Sequence, residues 1–164
     1  MGAGTYTRQY FARDTRYDVL QCSSRGHNLP IVDGGYQKFG VEYSARDVKY
    51  ENGVFSADIA PAYGNPELRS LVRSFRWTDD TVILKDTYVY EGEGELVERF
   101  VSLNEPTSDK AGTVNIDGVT LTYDPEKYEL SFGSEPRTAN GAMAYFTDLK
   151  LKKGVTEFTA TFTV

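Results

Sequence analysis

Short runs of alternating polar and apolar residues, each closed by a glycine, asparagine or aspartate turn, follow one another along almost the whole chain. The sharpest instance is Asn52-Gly53, set between the runs Phe39–Tyr50 and Val54–Ala60. Asn-Gly between two such runs favours a type I′ turn, because both residues tolerate positive φ and the turn's twist matches that of paired strands. Asp79-Asp80 plays a similar part between Leu68–Trp77 and Thr81–Tyr90, and Asp117-Gly118 between Val114–Ile116 and Val119–Tyr123. Further strands are expected at Tyr6–Phe11, Tyr17–Cys22, Leu96–Leu103, Tyr128–Phe132, Met143–Leu151 and Val155–Val164. The last of these alternates cleanly, with Phe158, Ala160, Phe162 and Val164 on one side and Thr159, Thr161 and Thr163 on the other, as in a half-buried antiparallel strand. Helical periodicity is nearly absent. About a dozen strands joined by short turns, without internal repeats, predict an all-β fold, a large antiparallel β-sandwich.

The 164 residues are enough for a single domain, and one that folds without disulfides or metals. The aromatic content, with 12 Tyr, 9 Phe and one Trp, suits strands. Asp33-Gly34-Gly35 reads as a turn, Glu91-Gly92-Glu93-Gly94-Glu95 as a solvated acidic turn rather than a calcium site, and Ser102–Gly112 as the longest loop. The net charge of −6, with scattered Lys and Arg, argues against nucleic acid, which needs a concentrated basic surface. No apolar run reaches the roughly 20 residues of a membrane-spanning helix, so no membrane partner is expected. A secretory leader is not read at the start. The one cysteine, Cys22, has no internal disulfide partner and reads as a buried structural thiol.

The chemistry-bearing residues crowd into the first forty positions. His27 is the only histidine. Spacing alone makes it an ordinary structural or exposed side chain, because zinc needs three or four ligands and no second histidine exists. Arg8, Arg13, Arg16 and Arg25 form the densest basic cluster. They suit carboxylate or sulfate recognition, or equally simple pairing with Asp14 and Asp18. Tyr6, Tyr10 and Tyr17 read first as strand residues. Trp77 reads either as framework or as a platform for the apolar face of a sugar ring.

The stretch His27-Asn28-Leu29-Pro30-Ile31-Val32-Asp33-Gly34-Gly35-Tyr36-Gln37 resembles the C-terminal β-domain of heparinase II/III-like polysaccharide lyases. There a His-Asn pair opens a strand that ends in an Asp/Asn-Gly turn followed by Gln. The resemblance continues through Ala62-Tyr63-Gly64, Leu68–Trp77 and Val82–Asp86 to about Leu103. It implies one β-sandwich domain, 1–164, that is the C-terminal piece of a longer bacterial enzyme, periplasmic, secreted or cytoplasmic. Such enzymes cleave uronate-containing polysaccharides by β-elimination. The expected partners are an acidic polysaccharide, such as a glycosaminoglycan or alginate, and an N-terminal helical toroid domain that supplies the other wall of the cleft. The resemblance makes His27 a ligand of zinc or another divalent metal in the intact protein. The remaining ligands would precede the segment Gly2-Ala3-Gly4-Thr5-Tyr6-Thr7, so this chain alone is expected to hold no metal. It also makes Tyr17 a candidate for proton transfer. Arg16, Arg25, Asn28 and Trp77 are the candidates for substrate contact. The chain alone is expected to be inactive. The alternative reading is a stand-alone carbohydrate-binding or interaction module.

Overall fold

A computed structural model describes residues 8–137 and 142–164. The expected Gly2–Thr7 turn and the first part of the Tyr6–Phe11 strand lie outside the described residues. Among the described residues eleven strands form two antiparallel sheets, the β-sandwich expected from the alternation. They are β1 (Pro30–Val32), β2 (Arg46–Glu51), β3 (Val54–Asp58), β4 (Leu68–Trp77), β5 (Thr81–Tyr90), β6 (Leu96–Ser102), β7 (Thr113–Ile116), β8 (Val119–Tyr123), β9 (Tyr128–Pro136), β10 (Met143–Leu151) and β11 (Glu157–Thr163). The smaller sheet runs β1-β6-β10-β9 and the larger β2-β3-β4-β5-β11-β8-β7. Among the described residues no helix is long and apolar enough to cross a membrane.

The turn chemistry sets the hairpins where it was read. Asn52 and Gly53 both take positive φ, 52° and 74°, and Tyr50 faces Phe55 across them. Asp117 and Gly118 do the same between β7 and β8. The acidic turn at 91–95 is not a hairpin tip. It carries the chain from β5 in the larger sheet to β6 in the smaller, and two of its carboxylates are paired, Glu91 with Arg69 and Glu95 with Lys150.

The core lies between the sheets and is built from their inward stripes. Phe158, Leu71, Leu121 and Leu149 are fully buried, with Leu84, Phe100, Tyr88 and Tyr128 packed among them. On β11 the inward stripe fades toward the end: Phe158 and Ala160 are enclosed, whereas Val164 is exposed. Burial of such side chains contributes about 1.5–3 kcal/mol each.

Two expected strands are not strands. The chain from Arg8 to Gly26 instead forms four short 3₁₀ turns, Arg8–Phe11, Arg16–Asp18, Leu20–Cys22 and Ser24–Gly26. Their amides bond locally, Val19 to Arg16, Cys22 to Val19, Ser23 to Leu20 and His27 to Ser24, so no ladder is available to them. One apolar anchor fixes the segment: Leu20 packs on Ala144, Phe146 and Val101. These three are the outward residues of β10 and β6, since Leu149, Leu151 and Phe100 of the same strands face the core. The turn segment therefore roofs the outer face of the smaller sheet. Residues 39–45, expected to be the start of a long strand, are also irregular, and β2 begins only at Arg46.

Gly26 is the tight point of this roof. A Cβ there would meet the backbone of Leu20 and lie 2.8 Å from its Cγ. Gly26→Ala is expected to lower stability by about 1–3 kcal/mol through overpacking, measured by chemical unfolding. An unchanged midpoint would show that the turn shifts freely.

Asp58, at the end of β3, holds the next element. Its Oδ1 accepts from the Ala60 and Leu71 amides and its Oδ2 from Arg46. Burial pushes its carboxyl up, but these donors outweigh burial and hold it below the ordinary value of 3.8. A carboxyl lowered on folding stabilises above its unfolded pKa, and that contribution fades as pH falls through the folded one. Asp58→Ala should therefore cost about 1–3 kcal/mol near neutral pH, and the gap to the wild type should narrow in acid below about pH 4. A gap independent of pH would contradict this.

Candidate functional site

A cleft of about 820 Å³ opens between the turn segment and residues 36–39. Tyr17, Asp18, Arg25 and His27 line it from the turns, and Gln37, Lys38 and Phe39 from the opposite wall. The two walls are tied together. The Gln37 amide donates to Ser24 Oγ at 2.9 Å, and the Lys38 amide donates to the Ala62 carbonyl at 2.8 Å. Ala62 belongs to the 3₁₀ turn Ala60–Tyr63 that Asp58 caps. From the same turn the Tyr63 hydroxyl donates to the Pro30 carbonyl at 2.7 Å, which fixes the start of β1.

Tyr17 is held as a flat slab. Its ring stacks on Phe39 with centroids 3.8 Å apart and 8° between planes. The Arg16 guanidinium lies 5.7 Å from the Tyr17 ring centre. Arg16 lines not the main cleft but an adjoining hollow, shared with Arg13, Tyr17 and Phe39. Arg25 reaches across to β9, where it pairs with Glu135 at 3.1 Å and donates to the Asp18 carbonyl at 3.3 Å. Its expected partner Asp18 thus contributes its main chain. His27 places Nε2 3.2 Å from the Gln21 carbonyl oxygen, which suits an Nε2–H donor.

Asn28 follows His27 but turns toward the sheet. Its Oδ1 accepts from the Val101 amide at 2.8 Å and its main-chain carbonyl from Arg73 Nη1 at 2.7 Å. The local sequence explains this. β1 starts at Pro30, opposite Glu98, and the side chain of Asn28 takes up an amide of β6 beyond the end of that short ladder. Trp77 stands apart. It ends β4 four residues beyond Arg73, roughly 13 Å along the strand, does not line the cleft, and stacks on Tyr50 with centroids 5.8 Å apart. Half of its surface, 51%, remains exposed.

Behind the cleft lies a charged cluster enclosed between the sheets. Arg73 of β4 donates through Nε to Asp86 of β5 at 2.9 Å and through Nη2 to Glu98 of β6 at 2.8 Å. The Tyr88 hydroxyl makes a short hydrogen bond to the other oxygen of Glu98. Asp86 and Glu98 have no exposed surface. Two carboxylates thus surround one guanidinium. Burial, reinforced by the charge of Asp86, raises the Glu98 carboxyl well above the usual range despite Arg73. Burial pulls the Arg73 guanidinium down, but Glu98 and Asp86 outweigh it and hold it above its ordinary value. Burial, then the charge of Glu98, raises the Tyr88 hydroxyl.

In the sequence, Arg73, Asp86 and Glu98 read only as members of three expected strands. A signal was present: Arg73 lies between inward Leu71 and Phe75, Asp86 between Leu84 and Tyr88, and Glu98 between Leu96 and Phe100. Three charges on three inward stripes demand one another. Lys38 also escaped notice, lying between the expected turn at Asp33-Gly34-Gly35 and the expected strand from Phe39.

A divalent metal at His27 would need further ligands. Among the described residues no three His, Cys, Asp or Glu side chains gather. These residues do not make a complete metal site.

Comparison with protein-family models and with curated proteins finds no match. The fold is similar to that of a heparan sulfate lyase HepC mutant from Pedobacter heparinus, with a TM-score of 0.60 and 18% identity. The likeness covers 98% of this chain and 27% of that chain. The chain thus has a heparinase-like β-sandwich fold and spans about a quarter of that solved relative.

Proposed function

We propose that this chain is the β-sandwich domain of a polysaccharide lyase and forms one wall of its active-site cleft. The observation that carries the reading is the single cleft in which Tyr17, Arg25, His27 and Lys38 meet. A hydroxyl, two cations and an imidazole are what β-elimination beside a uronate carboxylate requires. A base takes the proton next to the carboxylate, an acid protonates the leaving oxygen, and cations or donors offset the charge that develops on the carboxylate. Tyr17 is the candidate for proton transfer. Arg25, with Lys38 in the same cleft, is placed to meet a carboxylate or sulfate; Arg16 lines the adjoining hollow, and Asn28 faces the sheet instead. In the complete protein His27 is the one ligand this chain would offer a divalent metal; such a metal would act as a Lewis acid toward the carboxylate. The remaining wall, and the remaining ligands, belong to the rest of the protein in this reading, with a helical toroid as the expected partner.

The test is titration of the isotopically labelled chain with an acidic uronate oligosaccharide, followed by NMR. Signals of Tyr17, Ser24–His27 and Lys38 should move, and a neutral oligosaccharide should leave them in place. Arg25→Ala should weaken this binding by about tenfold, the value of one charge-assisted hydrogen bond in a half-open cleft. Unchanged affinity would remove Arg25 from the site.

A second reading has its own observation. The exposed Trp77–Tyr50 stack suits a sugar-binding platform on a module without catalysis. It predicts that the same titration moves signals at Tyr50 and Trp77 instead.

A further inference from the structure

We infer that the buried Arg73–Asp86–Glu98 cluster is the positioning device of the His27 cleft, acting through the single hydrogen bond from Arg73 to the carbonyl of Asn28. Nothing in this inference depends on the substrate; it concerns how the cleft wall is held.

The argument begins with an imbalance. A buried ion cluster is weak evidence of net stability, since replacing such groups by apolar ones is often neutral or stabilising. Here three charged side chains from three strands are enclosed where Leu and Phe would fit the inward stripes, so stability alone gives little reason for them. What distinguishes the cluster is its fourth contact. The guanidinium fork has a fixed geometry. Nε faces Asp86 and Nη2 faces both Asp86 and Glu98. With these fixed, Nη1 has one direction left, and it points to the Asn28 carbonyl at 2.7 Å.

Asn28 is the residue at which the chain leaves the roof over the outer face and enters β1 at the sheet edge. It is gripped from both sheets, by Arg73 of the larger through its carbonyl and by Val101 of the smaller through its side chain. His27 is the adjacent residue, and its own backbone amide bonds only locally, to Ser24. Asn28 therefore fixes the His27 main chain from one side, while the ring itself rests against the Gln21 carbonyl through Nε2. Asp86 and Glu98 aim the guanidinium, and Tyr88 aims Glu98. These four are positioning residues and touch no ligand themselves.

A single histidine makes the test clean, because its imidazole gives one set of NMR signals. Arg73→Lys keeps the charge but replaces the fork by a single ammonium. The variant is first shown to be folded by circular dichroism and cooperative unfolding. Its His27 imidazole signals and the amide signals of 24–29 should then move beyond their linewidths. Exchange of the Val101 amide should quicken about tenfold or more as Asn28 loosens. Should Arg73→Lys fail to fold, Tyr88→Phe, which removes only the hydroxyl on Glu98, is expected to show the same changes to a smaller degree. Val114→Ala, a core truncation in β7, serves as the control for general loosening and should leave the His27 signals in place. A folded Arg73→Lys or Tyr88→Phe protein with wild-type His27 signals would overturn the inference. So would a Val114→Ala protein that shifts them equally.

Discussion

Arg73→Ala should lower the stability of this chain by about 3–5 kcal/mol, because it leaves Asp86 and Glu98 buried without their cation. For a domain of this size that is a fall in melting temperature of roughly 6–20 °C. The size of the effect comes from the orphaned carboxylates, not from the worth of the ion pairs. Calorimetry separates the two: Arg73→Ala combined with Asp86→Ala and Glu98→Ala should be less destabilised than the sum of the three single variants, since the triple variant strands no charge. Strict additivity would contradict the account.

The same cluster gives a pH dependence with a definite sign. Glu98 keeps its proton in the folded chain after the unfolded chain has released it, because burial and the charge of Asp86 raise its carboxyl. The folded state then binds more protons, so stability falls as pH rises from the ordinary glutamate range, near 4.3, toward the raised value. Glu98→Gln removes this slope and keeps an acceptor for Arg73. Asp58 contributes the opposite slope at lower pH, since its carboxyl is lowered on folding.

If the chain is the lyase domain proposed above, Tyr17→Phe is expected to reduce turnover of the complete enzyme by about 10²-fold or more, the usual contribution of a positioned proton-transfer group. The substitution is unusually clean. The ring that stacks on Phe39 at 3.8 Å is kept, and only the hydroxyl goes. Stability and the Phe39 contact should be unchanged, so a loss of rate can be assigned to the proton. A larger KM with an unchanged kcat would instead make Tyr17 a binding residue, and wild-type kinetics would remove it from the reaction.

The sandwich was legible because its signals are local. Asn52-Gly53 and Asp117-Gly118 specify turns by backbone conformation, and the stripes of β4, β5, β10 and β11 specify faces by a period of two. The turn segment over the cleft was not legible for the complementary reason. Tyr17–Cys22 has a composition that suits a strand, but its amides close local 3₁₀ turns and join no ladder. Its contacts are distant in sequence, chief among them Leu20 on Ala144 and Phe146, more than a hundred positions away. The candidate residues Tyr17, Arg25 and His27 are brought into one cleft by the fold. Trp77, the candidate sugar platform, is left at the far end of β4. The Arg73 cluster was hidden by habit rather than by physics, since a charge on an inward stripe is legible once its two partners on neighbouring strands are sought together.

The most direct test of the proposed function is an assay of the complete protein on a panel of uronate polysaccharides, heparan sulfate, chondroitin and alginate among them, for the ultraviolet absorbance of the unsaturated uronate. The account predicts that at least one substrate gives this product, that the 164-residue chain alone gives none, and that Tyr17→Phe and His27→Ala suppress it in the complete protein. A folded complete protein that releases no unsaturated uronate from any of them, while binding glycan through Trp77 and Tyr50, would contradict it.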